Sequence, residues 1–524
     1  MSATSSHTAH HVSEAALEAA VAEFAKVVGA ENVHRGDETA AEFADPYGNP
    51  DAGSYYWAAA VVQPATVEEV RDVVRIANQF DVPLWTSSTG RNFGYGGGAP
   101  RVPGSIALSL RRMNRILEVN EKLGYALVEP GVSYLDLYGY LRSHGHRLWV
   151  DTPDLGWGSV IGNSLDHGYG YTPYGDHGAM ACGLEVVLAN GDTVRTGMGA
   201  MSGSRAWQVQ KRGFGPSLDA IFAQSNFGIV TKMGIWLMPQ PDVWRVSWVY
   251  LEKDEQLSSF IEALRPLLVK GLINHRVPVR KGLVPGPSAN GQGHAQVRPD
   301  MMDAIGEHVG FSAWNTRIAL YGTEEIVEAN FAELKRVIAT VPGARVESTK
   351  YAGDVDPTQV HTADRVFGGI PNLEFLNMLK WFGTDTGGHL DFTAVAPLDG
   401  DDAAAIMELL EEHVSTVPGL SLAPAFALQS RAMYLISMIL FDYAKPDDVK
   451  AAHHVVARLV EEAGKRGYGA YRAHLNMMDL VGQQYDYNDH AGRRLNEILK
   501  DALDPNGILS PGKQGIWPQR YRRP

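Results

Sequence analysis

Cysteine is almost absent from this chain, since Cys182 is the only one among 524 residues. One thiol cannot form an internal disulfide and gives no metal-ligand spacing, so we predict a cytoplasmic protein without a metal site. The sequence also lacks a run of about 18 apolar residues, which argues against a membrane-spanning helix. Residues 1–11 have no basic start followed by an apolar stretch, so we expect a frayed tail there and no secretory signal.

Positive charge is also scarce. Lysine and arginine number 46 against 60 aspartates and glutamates, which gives a formal net charge of −14. Such a surface repels phosphates, so we expect no nucleic-acid partner. Hydrophobic residues make up 45% and charged residues 20% of the chain, a globular composition. The length predicts two or more hydrophobic cores.

The first third alternates strand and helix patterns. Thr66 and Glu69 have the spacing of a capping box. An apolar stripe at helical spacing follows at Val70, Val73, Val74 and Ala77. Strands are predicted at 55–62, 83–85, 106–110 (half-buried), 125–129 and 227–237, a helix at 133–144, and a hairpin at 185–195.

The middle of the chain repeats a longer strand-then-helix unit four times. The units lie at 246–270, 317–340, 391–417 and 434–464, and Pro-rich connectors such as residues 284–287 separate them. This pattern predicts an α+β fold in which helices cover one face of a separate sheet. We therefore predict a cofactor domain at 1–240 and 469–524, with a substrate domain inserted at 241–468.

A glycine-rich loop at 87–98 follows a predicted strand. Its five glycines and one asparagine could present successive N–H groups to an anion such as a pyrophosphate. The spacing fits neither a dinucleotide-binding fingerprint nor a P-loop. From composition alone, an ordinary surface loop is an equally good interpretation.

Three further segments carry candidate chemistry. His389 follows two glycines and could bond to a cofactor, although a lone histidine is more often a core or surface residue. Tyr471 and Arg472 could stabilise a phenolate, or form an exposed pair at a helix start. Asp151 and Asp154 flank a proline, and either turn chemistry or a catalytic base would explain them.

Together these strings resemble the vanillyl-alcohol oxidase family, and within it the eugenol oxidase branch. The resemblance runs from about residue 40 to Trp517 and is densest at 81–240 and 464–517. The strings are Gly90-Arg-Asn-x-Gly-Tyr-Gly-Gly, Pro153-Asp-Leu-Gly-Trp-Gly-Ser, Gly170-Tyr-Thr-Pro-Tyr-Gly-Asp-His, Gln224-Ser-Asn-x-Gly-Ile-Val-Thr-Lys and Asp504-Pro-Asn-Gly-Ile-Leu.

The resemblance implies a two-part FAD-binding domain with an inserted α+β cap domain, and FAD joined covalently to His389 through the flavin 8α-methyl group. It also implies a homodimer or a larger homo-oligomer. The other cofactor-binding positions it implies are Ser87, Ser88, Thr89, Gly90, Arg91, Asn92, Pro153, Leu155, Gly158, Ser159, Gly162, Asn163, Ile229 and Lys513.

The implied substrates are para-substituted phenols: 4-hydroxybenzyl alcohols and 4-alkyl- or 4-allylphenols. Hydride would pass to flavin N5 through a quinone methide, and O2 would become H2O2. Tyr95, Tyr471 and Arg472 fall on the positions that bind the phenolate. Asp154 falls on an aspartate near flavin N5, and Tyr171 on a further active-site tyrosine.

Several pocket positions depart from the family pattern. Phe375 replaces a glutamate, with Glu374 beside it, and Asp391 stands where relatives have glycine or an aromatic residue. Ala425 and Ala427 replace bulkier residues, two extra residues precede His389, and no histidine near 47–56 matches one that assists flavin attachment in a fungal relative. With Thr393, these positions predict a roomier and more polar pocket, suited to methoxylated phenols.

Three alternatives stay open. A dehydrogenase of the same fold would pass electrons to a cytochrome, but its relatives link flavin through tyrosine where this chain has His389. A sugar or alkaloid oxidase with doubly linked flavin needs a loop histidine and a cysteine near 155–170, and Cys182 is misplaced for that. A non-catalytic flavoprotein would be expected to lose the phenolate residues.

Overall fold

The computed structural model describes residues 12–36, 41–48, 56–281, 313–376 and 386–522. The N-terminal tail, the connector at 284–287 and the residues just before position 386 lie outside these ranges, as does Tyr55. The described chain contains eleven α-helices and eighteen strands, and the strands form three main sheets and a two-stranded ribbon. None of the described helices is both long and apolar enough to cross a bilayer.

The first sheet has four strands in the order β1-β2-β4-β3. They are β1 (Val33–His34), β2 (Ala60–Val62), β3 (Leu84–Ser87) and β4 (Ile106–Ser109). Helices α1 (Glu14–Val28) and α2 (Val67–Phe80) pack on it. The hydroxyl of Thr66 caps α2 by accepting from the N–H of Glu69, as predicted, whereas the Glu69 carboxylate accepts from the N–H of Ala65.

The prediction that 106–110 is a half-buried strand is wrong in its burial. All four residues of β4 are buried, because β4 lies between β2 and β3 and pairs with both in parallel. The C-terminal segment joins the same sheet: the N–H of Leu84 donates to Ile508 O at 2.7 Å, and the N–H of Ser510 to Leu84 O at 2.7 Å. Both ends of the chain thus contribute to one structure.

The second sheet is antiparallel, in the order β5-β6-β10-β8-β9. Its strands are β5 (Ile116–Asn120), β6 (Tyr125–Val128), β8 (Ala181–Val187), β9 (Thr193–Arg195) and β10 (Ile229–Trp236). A two-stranded ribbon pairs β7 (Leu148–Trp149) with β11 (Met238–Pro239). The predicted hairpin forms from β8 and β9. Three helices lie in this region: α3 (Tyr134–Ser143), α4 (Val160–Leu165) and α5 (His177–Met180).

The third sheet has seven antiparallel strands in the order β15-β12-β14-β13-β17-β18-β16. They are β12 (Val243–Leu251), β13 (Val277–Lys281), β14 (Trp314–Gly322), β15 (Arg345–Ala352), β16 (Gly387–Pro397), β17 (Ser421–Leu428) and β18 (Ala432–Asp442). The four predicted strand–helix units are confirmed as β12, β14, β16 and β18 with their following helices. β13, β15 and β17 were not predicted.

Among the described residues, the α-helices that pack on this sheet lie on one face of it, as predicted. They are α6 (Gln256–Val269), α7 (Glu324–Ile338), α8 (Gly400–Val414) and α9 (Pro446–Lys465). Phe260, Leu334, Leu410 and Leu459, one from each helix, share a core with the strands. The chain ends with α10 (Met478–Gln484) and α11 (Tyr487–Leu503). The other face of the sheet is therefore free to bound a cavity.

Candidate active site

A cavity of about 670 Å³ lies against the face of the seven-stranded sheet opposite these α-helices. A second cavity of about 220 Å³ adjoins it, beneath the glycine loop. The two share part of their lining, namely Arg91, Asn92, Tyr95, Gly158, Asn163 and Arg472. Such a pair of joined spaces can hold one elongated ligand in the smaller cavity, with its reactive end facing a second ligand in the larger.

The smaller cavity has the features of a cofactor cradle. The buried hydroxyls of Ser87 and Ser225 have no hydrogen-bond partner among the described residues. A Cβ added at Gly162 would meet Ser88 Oγ at 2.4 Å, so α4 approaches the loop as closely as glycine allows. Unpaired hydroxyls beside a glycine loop suit the phosphates and ribityl chain of FAD.

Most predicted cofactor positions line these two spaces. Pro153, Leu155 and His389 line the larger cavity. The smaller cavity is lined by Ser87, Ser88, Thr89, Gly90, Arg91, Asn92, Gly158, Ser159, Gly162, Asn163, Ile229 and Lys513.

His389 lies on β16 and is buried, with its Nδ1 atom lacking a hydrogen-bond partner among the described residues. The ring of Tyr47 meets it edge-on, with centroids 5.6 Å apart. The glycine loop passes directly over it, because a Cβ added at Gly94 would meet His389 Nε2 at 2.7 Å and Asp391 Oδ2 at 2.4 Å. The imidazole therefore lies where the loop and the larger cavity meet.

Arg472 and Tyr95 meet where the two cavities join. The guanidinium carbon of Arg472 lies 4.2 Å from the centre of the Tyr95 ring. Burial, and secondarily Asp391, raise the pKa of Tyr95 well above its usual value, so its hydroxyl stays a donor. Burial opposes the charge of Arg472, but Tyr95 and Tyr471 outweigh it and raise the pKa of Arg472.

The chain bends at Tyr471 and Arg472, so these neighbouring side chains need not point to opposite sides as they would in an extended strand. Tyr471 is held edge-on to Tyr434, with centroids 5.1 Å apart. Its hydroxyl is buried without a hydrogen-bond partner among the described residues. Thr393 does not line the cavity; its hydroxyl donates to the Arg472 carbonyl at 2.8 Å and so fixes this bend.

Asp154 forms the second polar centre of the larger cavity. Its Oδ2 accepts from the Tyr171 hydroxyl at 2.7 Å. Arg280 Nη2 donates to Oδ1 at 3.2 Å and lies 3.1 Å from the Tyr171 hydroxyl. Burial and the adjacent Asp154 raise the pKa of Tyr171, which keeps that phenol protonated. The three side chains form one closed network.

Asp151 has a different environment, and the expectation that it serves its own turn is wrong. Its Oδ2 accepts from the N–H of Thr172 at 2.6 Å, and its Oδ1 lies 2.6 Å from His177 Nε2. A Cβ at Gly170 would fall 1.6 Å from Asp151 Oδ1. Asp151 thus ties the Asp154 loop to the segment that carries Tyr171.

The substrate-pocket positions are only partly brought together. Asp391, Ala425 and Phe375 line the larger cavity. Ala427 is buried in β17 opposite Tyr434, away from the cavity lining. Among the residues described, no group of three or more histidines, cysteines and acidic residues could hold a metal ion.

Sequence reasoning missed the arginines of this sheet face. Arg280 on β13 and Arg317 on β14 both line the cavity. The signal available was a charged residue within a short apolar run, Val277-Pro-Val-Arg, which is unusual for a buried strand. Because β13 itself was not predicted, the sequence did not show on which face of a sheet this arginine would lie.

Two family patterns match the chain. Residues 58–197 match the family described as FAD binding domain, and residues 402–514 match the C-terminal domain of FAD linked oxidases. A curated relative, the flavoprotein subunit of 4-cresol dehydrogenase [hydroxylating] from Pseudomonas putida, is 37% identical over 471 residues. That alignment covers 87% of this chain and 88% of the relative.

Two solved structures share the whole fold. The 4-ethylphenol oxidase from Gulosibacter chungangensis, in complex with isoeugenol, is 35% identical with a TM-score of 0.88, over 98% of this chain and 99% of that one. A p-cresol methylhydroxylase with substrate bound is 34% identical with a TM-score of 0.86, over the same shares of both chains.

Proposed function

The chain belongs to the vanillyl-alcohol oxidase and p-cresol methylhydroxylase family of FAD enzymes, and on that premise we propose that it oxidises para-substituted phenols with O2 as electron acceptor. The observation that carries this proposal is the half-buried Arg472–Tyr95 contact at one end of a cavity whose other polar centre is Asp154. The substrates named for the relatives, 4-cresol (also called p-cresol) and 4-ethylphenol, are both para-alkylphenols.

The phenol end of the substrate would lie against Arg472, Tyr95 and Tyr471. A para-alkyl phenol releases hydride more readily as its phenolate, because the charge delocalises into a quinone methide. A fixed cation and two protonated tyrosines stabilise that anion as it forms. Bound FAD supplies the hydride acceptor, and O2 restores it with release of H2O2.

Asp154 would act at the benzylic carbon. Its carboxylate is oriented by Tyr171 and Arg280, at 2.7 and 3.2 Å. From that position it can accept a proton from water that adds to the quinone methide, giving the benzylic alcohol. With an alcohol substrate, loss of the second proton gives the aldehyde directly.

The second candidate is a dehydrogenase that passes its electrons to a cytochrome. The 37% identity to a 4-cresol dehydrogenase flavoprotein subunit supports this second candidate. We favour the oxidase because His389, whose buried Nδ1 has no hydrogen-bond partner among the described residues, stands at the position that we propose faces the flavin, where the dehydrogenases resembled here use a tyrosine.

One experiment separates the two. The purified yellow protein is mixed with 4-ethylphenol in air, and the release of peroxide is measured. A parallel assay, with catalase present, measures the reduction of added cytochrome c. The oxidase proposal requires one peroxide per phenol consumed. Negligible peroxide with rapid cytochrome reduction would establish the dehydrogenase instead, and no bleaching of the flavin by any phenol would refute both.

We also propose that FAD is bonded covalently to His389, since this imidazole lines the larger cavity and the backbone at Gly94 approaches it closely. Acid precipitation tests it: the yellow colour should stay with the polypeptide. We further propose that the protein is cytoplasmic and forms a homodimer or a larger homo-oligomer. Light scattering on the purified protein can check the oligomeric state.

A further inference from the structure

A second arginine, Arg317, is buried and lines the cavity beyond Asp154. Arg317 lies on β14, two residues after Asn315, which pairs with Arg280 of β13. Residues two apart on a strand share a face, so Arg280, Asn315 and Arg317 all face the cavity, and all three line it. Diagonal neighbours on adjacent antiparallel strands lie about 7–8 Å apart. Arg317 is therefore one step further than Arg280 from the phenol end.

Arg280 and Arg317 differ in how their charges are paired, and the carboxylate of Glu374 also lines this cavity. Asp154 is already paired with Arg280. No carboxylate within the described part of the chain lies within 4.0 Å of Arg317. The nearby Asp364 accepts instead from Trp248 Nε1 at 3.0 Å and from the Tyr351 hydroxyl at 2.9 Å. Burial, followed by repulsion from Arg280, lowers the pKa of Arg317 to about 10, so it remains a cation at neutral pH.

The guanidinium is held rigidly. It lies between the rings of Trp248 and Phe367, 5.1 Å from each centre, and donates through Nη1 to the Ala363 carbonyl. These contacts occupy the faces of the guanidinium and one of its nitrogens. Its other N–H groups can therefore donate to a ligand. A preorganised guanidinium that lines a cavity and has no carboxylate partner in the described ranges is suited to a planar anion, above all a carboxylate.

We propose that Arg317 and Asn315 bind a carboxylate carried by the para substituent of the phenol, so that the preferred substrates are 4-hydroxyphenyl alkanoates two or three carbons long. This inference rests on the proposed phenol oxidation and leaves its chemistry unchanged. The substrate loses one benzylic hydride and the phenolic proton, and O2 takes up two electrons and two protons as H2O2. The spacing of Arg280 and Arg317 places the carboxylate beyond the benzylic carbon that faces Asp154.

The test compares 3-(4-hydroxyphenyl)propanoate with its neutral amide in one enzyme. We expect the wild type to favour the acid, and Arg317→Gln to reduce the acid-to-amide ratio of kcat/KM by about 10- to 100-fold, the range for a hydrogen bond to a charged group. Arg317→Lys keeps the charge but not the fork, and should retain an intermediate ratio. Because each ratio is taken within one variant, a general loss of folded enzyme cancels.

Arg245→Gln is the matched control. Arg245 lies on β12 of the same sheet but pairs with Glu328 of α7 on the helix-covered face, so the ratio should not change. The Kd of 3-(4-methoxyphenyl)propanoate, which cannot react as a phenolate, gives a binding readout by calorimetry on the FAD-loaded enzyme. It should weaken in Arg317→Gln and not in Arg245→Gln.

Failure of this inference differs from failure of the proposed function. Equal kcat/KM for acid and amide in the wild type, or a ratio that Arg317→Gln leaves intact, would overturn the carboxylate subsite while phenol oxidation stands. Absence of turnover with every phenol would overturn the proposed function, and the Kd of the methyl ether would then still decide whether Arg317 binds the carboxylate.

Discussion

Replacing Arg472 with alanine should remove the cation that stabilises the phenolate. The guanidinium lies 4.2 Å from the Tyr95 ring centre, and the Thr393 hydroxyl fixes the Arg472 backbone by donating to its carbonyl at 2.8 Å. Loss of one such preorganised group costs on the order of 2–4 kcal/mol of transition-state stabilisation. That energy corresponds to about a 30- to 1,000-fold decrease in kcat/KM for a neutral para-alkylphenol.

The decrease should depend on pH. A free phenol has a pKa of about 10. Without Arg472 the substrate must ionise largely unaided, so kcat/KM of Arg472→Ala should rise about tenfold per pH unit between pH 7 and 9. The wild type should rise less steeply. Burial raises the pKa of both Tyr95 and Tyr471, so these tyrosines remain donors across this range in both enzymes.

Anaerobic stopped-flow measurement of flavin bleaching gives the rate of the reductive step directly. Arg472→Lys is the control, since it keeps a cation and should recover part of the rate at pH 7. The melting temperature of each variant checks that the Tyr95 contact was not simply lost through unfolding. If Arg472→Ala reduced its flavin at the wild-type rate and with the wild-type pH profile, the phenolate assignment would be refuted.

Three further predictions concern other parts of the molecule. His389→Ala should release all its FAD on acid precipitation, and Gly94→Ala should release part of it, because the added Cβ would meet His389 Nε2 at 2.7 Å. Asp154→Asn should slow flavin reduction about 100- to 10,000-fold while the Kd for phenol changes little, measured by stopped flow and titration. Lys500→Met should lower the free energy of unfolding in urea by about 3–5 kcal/mol, because it leaves the buried Asp504, now 2.7 Å from Lys500 Nζ, without its cation.

Local patterns predicted much of the fold but not every strand of the large sheet. β12, β14, β16 and β18 each have a long apolar run and a helix after them, so the signal is contained in one stretch of sequence. The missed strands lack that signal. β13 and β17 each contain a proline, and β15 is mostly exposed and polar. Pairing with neighbours far along the chain outweighs their weak intrinsic preference for extended structure.

The site divides in the same way. The glycine loop, Asp154 and Tyr171 lie in the long strings that carry the family resemblance, and the roles of His389 and Arg472 were inferred from the same resemblance. Arg280 lies outside those strings, and its partner Asp154 is 126 residues away, so no local spacing connects them. Only the register of the sheet brings the guanidinium to the carboxylate.

Asp391 shows how a departure from the family pattern can serve the same chemistry. It was expected to make the pocket more polar, and a carboxylate beside a phenolate site would ordinarily oppose the anion. The structure places it two residues after His389 on the same strand face, with Oδ2 3.8 Å from His389 Nε2. There its charge helps to raise the pKa of Tyr95, after the larger effect of burial. The negative charge thus adds to the effect of burial in keeping Tyr95 protonated as a donor, while Arg472 would supply the positive charge that a bound phenolate requires.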